Sequence, residues 1–182
     1  MKLLKFSLLA LPLGAAAAVF GAAYFLPSEI EVQQSVYLQQ PPEVIYPYLN
    51  NPTEWGHWSV LNKENDPSMI HLYGGPLQGK GARLQWSGDR VGEGQLILTE
   101  STQPGTIAYR QNNADDTTSV LGTFTLMPAR GGTQLVWRQH SVLQQSPLAK
   151  LRGVLQKYKM QQDMTQGLQG LQQLVGDRKL KS

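Results

Sequence analysis

Cysteine is absent from the 182 residues, which excludes disulfides, zinc–thiolate centres and thiol nucleophiles and is compatible with either side of a bacterial inner membrane. Histidine is scarce. His57, His71 and His140 share no ligand spacing, and no HExxH-like or facial-triad pattern surrounds them, so neither a metal nor a cofactor is expected. No GxSxG elbow occurs, and no serine stands in a recognisable order with a histidine and an acid. Gly74-Gly75, Gly79-x-Gly81 and Gly92-x-Gly94 do not precede the helix of a βαβ unit, so they read as hairpin turns and strand bends, not phosphate loops. A field of positive charge is missing too. The formal charge is +3, but Lys2, Lys5, Arg178, Lys179 and Lys181 lie at the two ends, and without those five the chain holds 11 basic against 13 acidic side chains. Such a balance gathers no nucleic acid. There is no internal repeat and no low-complexity linker, and the length suits one domain with an appendage.

The first feature present is an apolar run over 6–26, FSLLALPLGAAAAVFGAAYFL, which as a helix would span about 30 Å, the thickness of a bilayer core. It reads as a membrane signal. Lys2 and Lys5 precede it and Glu29 and Glu31 follow, which by the positive-inside tendency places the N-terminus in the cytoplasm and the domain outside. Ala16-Ala17-Ala18 and Gly21-Ala22-Ala23 both resemble cleavage sites, while the length of the run favours a retained anchor. The expected organisation is a signal-anchor or transmembrane segment over 1–27, a domain over 28–176 and a basic tail over 177–182. The expected location is the bacterial inner membrane, single-pass, with the domain on the periplasmic or extracytoplasmic side.

Ile30, Val32, Val36 and Leu38 recur with a period of two and predict a first strand, interrupted at Gln34. Pro41-Pro42-Glu43 then opens a short helix through Val44, Ile45, Tyr48 and Leu49, and Thr53 can cap a second helical turn containing Glu54, Trp55, His57 and Trp58. From Ser68 the period returns to two, predicting strands over 69–73, 82–87, 93–101, 106–111, 119–127 and 133–142. The separators are short and turn-like, so neighbouring strands should pair as an antiparallel meander. A meander with so few helices buries one face against the helical tail over 147–176, and the space between them becomes a pocket unless large side chains fill it.

Several stretches carry a resemblance: VIYPYLNNPTEWGHW over 44–58, Gly79-Lys80-Gly81 leading to Leu84-Gln85-Trp86-Ser87-Gly88, Gly92-Glu93-Gly94, and GTFTLMP over 122–128. It continues through GTQLVW over 132–137 and GLQGL over 167–171. In this order the residues resemble the START-like, helix-grip superfamily labelled SRPBCC, and within it the polyketide cyclase/dehydrase group, over roughly residues 30 to 175. The resemblance implies an α+β helix-grip fold, a curved antiparallel sheet of about seven strands around a long C-terminal helix, here with an N-terminal transmembrane segment. It also implies a deep apolar cavity that binds lipids, hormones or polyketides and only in some members catalyses. Fold does not fix function in such a group.

Trp55, Trp58, Trp86, Tyr109, Phe124, Trp137 and Met164 are the candidate ligand-lining residues. Trp86 and Trp137 alternate with apolar neighbours and should face inward, whereas the bland alternative makes the tryptophans core plugs and His57 a solvated loop residue. Parity places His140 opposite to Trp137, on the outer face, and Arg83, Arg110 and Arg138 point to solvent by the same argument. Three readings follow. The first is membrane-tethered binding of a hydrophobic small molecule or lipid. The second is a cyclase/dehydratase-type enzyme on an apolar substrate, with His57 or Glu93 as general base. The third is a non-catalytic partner in an envelope complex. The partners expected are a hydrophobic small molecule or lipid and a membrane through residues 6–26.

On a wheel of roughly 100° per residue the tail shows two apolar stripes. Leu148, Leu151, Val154, Leu155 and Tyr158 share one face; Met160, Met164, Leu168, Leu171 and Val175 share another, with Gly167 and Gly170 beside it. One straight helix cannot bury both against one sheet, so two helical halves with two partners are expected, the second half gripping the strands. Lys150, Arg152, Lys157 and Lys159 flank the first stripe, in the layout of an interfacial helix or of an ordinary amphipathic helix on the domain's own loops.

Overall fold

The computed structural model describes residues 21–114 and 118–177. Seven strands form one antiparallel sheet: β1 (Glu29–Leu38), β2 (Ile70–Gly74), β3 (Arg83–Ser87), β4 (Gly94–Thr102), β5 (Thr106–Asn113), β6 (Val120–Ala129) and β7 (Gly132–Val142). From β2 to β7 each strand pairs with the next in sequence, as the short turns require. The exception is β1, which crosses over to lie beside β7, Glu29 opposite Val142 and Leu38 opposite Thr133. The sheet order is therefore β1-β7-β6-β5-β4-β3-β2.

Every strand expected from the two-residue period is present, and the alternation sets its faces. Leu84 and Trp86, Leu96 and Leu98, Ile107 and Tyr109, Val120 and Phe124, and Leu135 and Trp137 are buried on the inner face. The outer face carries polar groups: Arg138 reaches Gln33 and Glu31, and His140 lies 3.5 Å from Glu29. Gln34 keeps the inward parity of β1 at a half-buried position opposite Trp137.

Between β1 and β2 run α1 (Pro42–Asn50) and a 3-10 helix (Pro52–His57). The cap of the second is Asn51 and not Thr53: the Asn51 carboxamide oxygen accepts from the Thr53 N–H at 3.0 Å. The two tryptophans that follow finish α1. Trp55 Nε1 donates to the Leu49 carbonyl at 3.0 Å and Trp58 Nε1 to the Tyr48 carbonyl at 3.1 Å, satisfying groups a helix end leaves without intrahelical partners.

The tail is a single uninterrupted helix, α2 (Pro147–Asp177), where two halves were expected. Its second stripe packs on the sheet, with Met164 and Leu171 fully buried and Met160, Leu168 and Val175 nearly so. Gly167 lets it approach Trp137 and Trp58, and at Gly170 a Cβ would overlap the Trp58 carbonyl. The first stripe gains no comparable cover. Leu148, Val154, Leu155 and Tyr158 are exposed, and Gly153 against Leu143 is the close approach in that half.

The membrane expectations are corrected here. Among the described residues no helix is long and apolar enough to cross a membrane. The run over 6–26 lies outside the described residues except for its end. There, helical bonding stops with Phe25 N–H on the Ala22 carbonyl and Leu26 N–H on the Ala23 carbonyl. Tyr24 is held by the protein's own helix: Lys150 Nζ donates to its carbonyl at 2.8 Å and lies 5.5 Å from its ring centre. The helix-grip fold is thus observed, and among the described residues it carries no transmembrane segment. Membrane tethering, the membrane as a partner through residues 6–26, and a single-pass inner-membrane location with a periplasmic domain have no support in the structure.

Candidate functional site

Five aromatic rings meet where the 3-10 helix inserts between the sheet and α2. Phe124 is at their centre, its ring centroid 4.8 Å from Trp137, 5.7 Å from Tyr109, 5.8 Å from Trp55 and 6.0 Å from Trp58. These rings fill the middle of the space under α2. The remaining cavity, about 360 Å³, is displaced toward the first half of the helix.

Its floor is Trp55, Trp86 and Trp137. Inward-facing Gln111, Asn113, Val120 and Gln139 form the sheet wall, and Leu155, Lys159, Met160 and Asp163 of α2 form the roof and rim. Lys159 and Asp163 pair at 2.8 Å along the helix. Of the seven candidate lining residues, three open onto the cavity. Tyr109, Phe124 and Met164 are packed behind it, and Trp58 borders a separate groove.

Glu93 sits on the rim, exposed, where its carboxylate accepts from Ser87 Oγ at 3.2 Å. His57 is on the far side of the 3-10 helix, in a polar groove of about 410 Å³ with Asn62, Glu64 and Gln166. The two general-base candidates therefore do not share a cavity. A third depression, about 460 Å³, lies around Ile70, Leu72, Gln85 and Gln95 on the outer face by the β2 edge. It lacks a helix on its open side, so the more sheltered space between sheet and α2 is the better candidate.

The floor is tied down by hydrogen bonds. Trp137 Nε1 donates to Tyr109 Oη at 2.9 Å, and Gln139 Nε2 approaches the same oxygen at 2.7 Å. Burial pushes the Tyr109 phenol far above its ordinary value, against the lowering effect of those two bonds, so it stays protonated. Room for the ring comes from Gly122 on β6, where a Cβ would overlap the phenol.

The rim loop is held by a residue that sequence reasoning missed. Asp66, buried between β2 and the 3-10 helix in sequence, accepts from the Ser68 hydroxyl at 2.6 Å and N–H at 3.1 Å through Oδ1. Through Oδ2 it accepts from the backbone N–H groups of Arg90 at 2.7 Å and Val91 at 3.0 Å. These bonds, the Ser68 hydroxyl first, hold its carboxyl far below the usual carboxylate range. The local signal was Asp66-Pro67-Ser68, an acid placed to accept from the residue two positions on. Because the folded value is depressed, the stabilisation is present above the ordinary carboxylate pKa of about 3.9 and is lost as pH falls toward the folded value. In urea unfolding, the deficit of Asp66→Asn relative to wild type is expected to be full at pH 7 and to shrink below about pH 4. A deficit independent of pH over that range would contradict the charged clamp.

A family model described as "Polyketide cyclase / dehydrase and lipid transport" matches residues 29–176, which hold the sheet, α1, the 3-10 helix and α2 up to Gly176. The chain belongs to this family. The START-like helix-grip resemblance read from the sequence is thereby a membership. No curated protein matches the chain. Among solved structures, a protein of unknown function, SA2116 from Staphylococcus aureus, superposes with a TM-score of 0.67 at 10% identity, over 84% of this chain and 96% of its own. Protein MLL2253 from Mesorhizobium loti gives 0.60 at 22% identity, over 81% and 97%. The di-domain ARO/CYC StfQ from the steffimycin biosynthetic pathway gives 0.63 at 12% identity, over 82% of this chain and 51% of its own. At these identities the likeness is one of fold.

Proposed function

We propose that this protein binds a small hydrophobic molecule in the cavity between the sheet and the first half of α2, with residues 28–176 as the binding unit. The observation that carries the reading is the partly enclosed space of about 360 Å³ floored by Trp55, Trp86 and Trp137, a size at the lower end of ligand pockets. It is the room of roughly a dozen water molecules. That suits a compact ring system or a short single chain and leaves out a two-chain lipid. Membership in a family described by both cyclase/dehydrase and lipid-transport activities accommodates such a ligand. The first supporting contacts are the three tryptophan faces; Tyr109, Phe124 and Met164 act from behind by holding those faces in place. Binding without turnover is favoured over a cyclase/dehydratase reaction because Glu93 on the rim has no histidine across the cavity from it.

Native mass spectrometry of the chain purified from its host is expected to show a co-purified apolar molecule, and an environment-sensitive hydrophobic dye is expected to bind. Met160 lines the cavity on α2, so Met160→Trp should fill it and weaken dye binding at least about tenfold, a change of about 1.4 kcal/mol. Dye binding that is undiminished in Met160→Trp would place the dye elsewhere and remove the support for this cavity.

A further inference from the structure

The floor of the cavity contains a chain of hydrogen bonds whose direction is set by its first member. An indole N–H can only donate. Trp137 gives its proton to Tyr109 Oη, so the phenol is already an acceptor there. The phenol keeps its own proton and must place it, and among the described residues the remaining polar atom against Tyr109 Oη is the end of the Gln139 carboxamide, 2.7 Å away. All three side chains are buried.

If the amide nitrogen occupies that position, two donors converge on one oxygen and the phenol proton is left without an acceptor, which in a buried site costs the desolvation of the group. Turning the carboxamide by half a revolution exchanges its oxygen and nitrogen without moving any other atom. Every proton then has a partner: Trp137 N–H to Tyr109 oxygen, Tyr109 O–H to Gln139 carbonyl. The separation agrees, since 2.7 Å is the usual length of O–H···O and shorter than the usual N–H···O. Amide orientation follows from the network in which the amide takes part.

Resting on the cavity reading above, we infer that Gln139 presents its amide N–H group to the cavity and is a specificity-determining residue for a hydrogen-bond-accepting oxygen on an otherwise apolar ligand, such as a ketone or quinone carbonyl. Gln139 lines the cavity between Trp137 and Val120, so the end of the amide not held by Tyr109 faces the ligand space. The other two carboxamides lining the cavity, Gln111 and Asn113, bond to each other at 3.1 Å. Gln139 is the carboxamide anchored to a donor-only group through a fixed phenol. A site with a buried donor favours ligands that satisfy it over those that leave it unpaired.

Three rigid tricycles of nearly the same shape separate the possibilities: fluorene, which has no polar atom; fluorenone, which adds only an acceptor; and carbazole, which adds only an N–H donor. Equilibrium dialysis of each against the purified full chain is expected to show fluorenone binding roughly 2- to 12-fold tighter than fluorene, the range of one net hydrogen bond, with carbazole no tighter than fluorene. In Gln139→Met the fluorenone advantage should vanish. Fluorenone no tighter than fluorene overturns the inference, and carbazole as the tightest of the three overturns it by showing the amide oxygen toward the ligand. Either result leaves the apolar cavity standing. Binding of none of the three removes the cavity reading together with the inference. If Gln139→Met does not fold, the ranking with the unmodified protein decides alone.

Discussion

Phe124→Ala is expected to lower the free energy of unfolding by about 3–5 kcal/mol, the range for truncating a buried aromatic residue. Phe124 is wholly buried at the centre of the aromatic cluster, and the loss depends on whether its neighbours can close the gap. Here they are restrained. Trp55 and Trp58 are tied to the carbonyls of Leu49 and Tyr48, and Trp137 to Tyr109, so collapse would break hydrogen bonds that now finish α1 and order the cavity floor. The effect should therefore fall in the upper part of the range. Urea unfolding with an unchanged m value checks it; a loss below about 1 kcal/mol would mean that the rings repack freely. The same void adjoins the cavity, so the variant should accept bulkier apolar probes than wild type.

Gly170→Ala carries the second large effect, and its sign is informative. In an exposed helix, glycine to alanine stabilises by about 1 kcal/mol. At position 170 the added carbon would overlap the Trp58 backbone carbonyl, which cannot swing aside as a side-chain tip can. Separating α2 from the 3-10 helix by the distance needed would disturb Met164, Leu168 and Leu171, all buried beside it. Destabilisation of about 1–3 kcal/mol, the usual range for overpacking, is expected despite the gain in propensity. Gly176 has open space at its Cβ position, and Gly176→Ala serves as the control, expected to be neutral or stabilising. If both substitutions stabilise, α2 is not gripped at Gly170.

The fold was readable because two periods are enough to specify it. The alternation from Arg83 to Val142 places inner and outer residues correctly on each strand, down to the outward His140 and Arg138, whereas on β2 the apolar alternates Ile70 and Leu72 are exposed on the outer face. What alternation cannot show is depth. Trp137 and Gln139 share a face with Phe124 and Tyr109, yet two of these four line the cavity and two lie sealed beneath it. That division is made by where Trp55 and Trp58 enter from a different part of the chain, a tertiary fact with no local signature. The same holds for Asp66, whose partners Arg90 and Val91 lie across a loop. Gln139 is within reach of the sequence, two positions from Trp137 and therefore on the same face, but its polar character does not fit a wall expected to be apolar. The wheel correctly assigned the second stripe of α2 to the sheet, but the break expected between stripes did not occur, because nothing between Tyr158 and Met160 interrupts helical hydrogen bonding.

The pairing of β1 with β7 has a consequence for how the chain is made. The first strand finds its hydrogen-bonding partner only in the last, Leu38 beside Thr133 and Glu29 beside Val142. On the ribosome, then, β1 must wait with its backbone unpaired while the five strands from β2 to β6 emerge. Those strands can form their meander by local pairing, but their inner face stays uncovered until α2 follows β7. Non-local closure of this kind slows folding and prolongs exposure of apolar surface. During synthesis the nascent domain is thus a half-open sheet with a free leading strand, the stage at which a chaperone or a mispaired copy would find it.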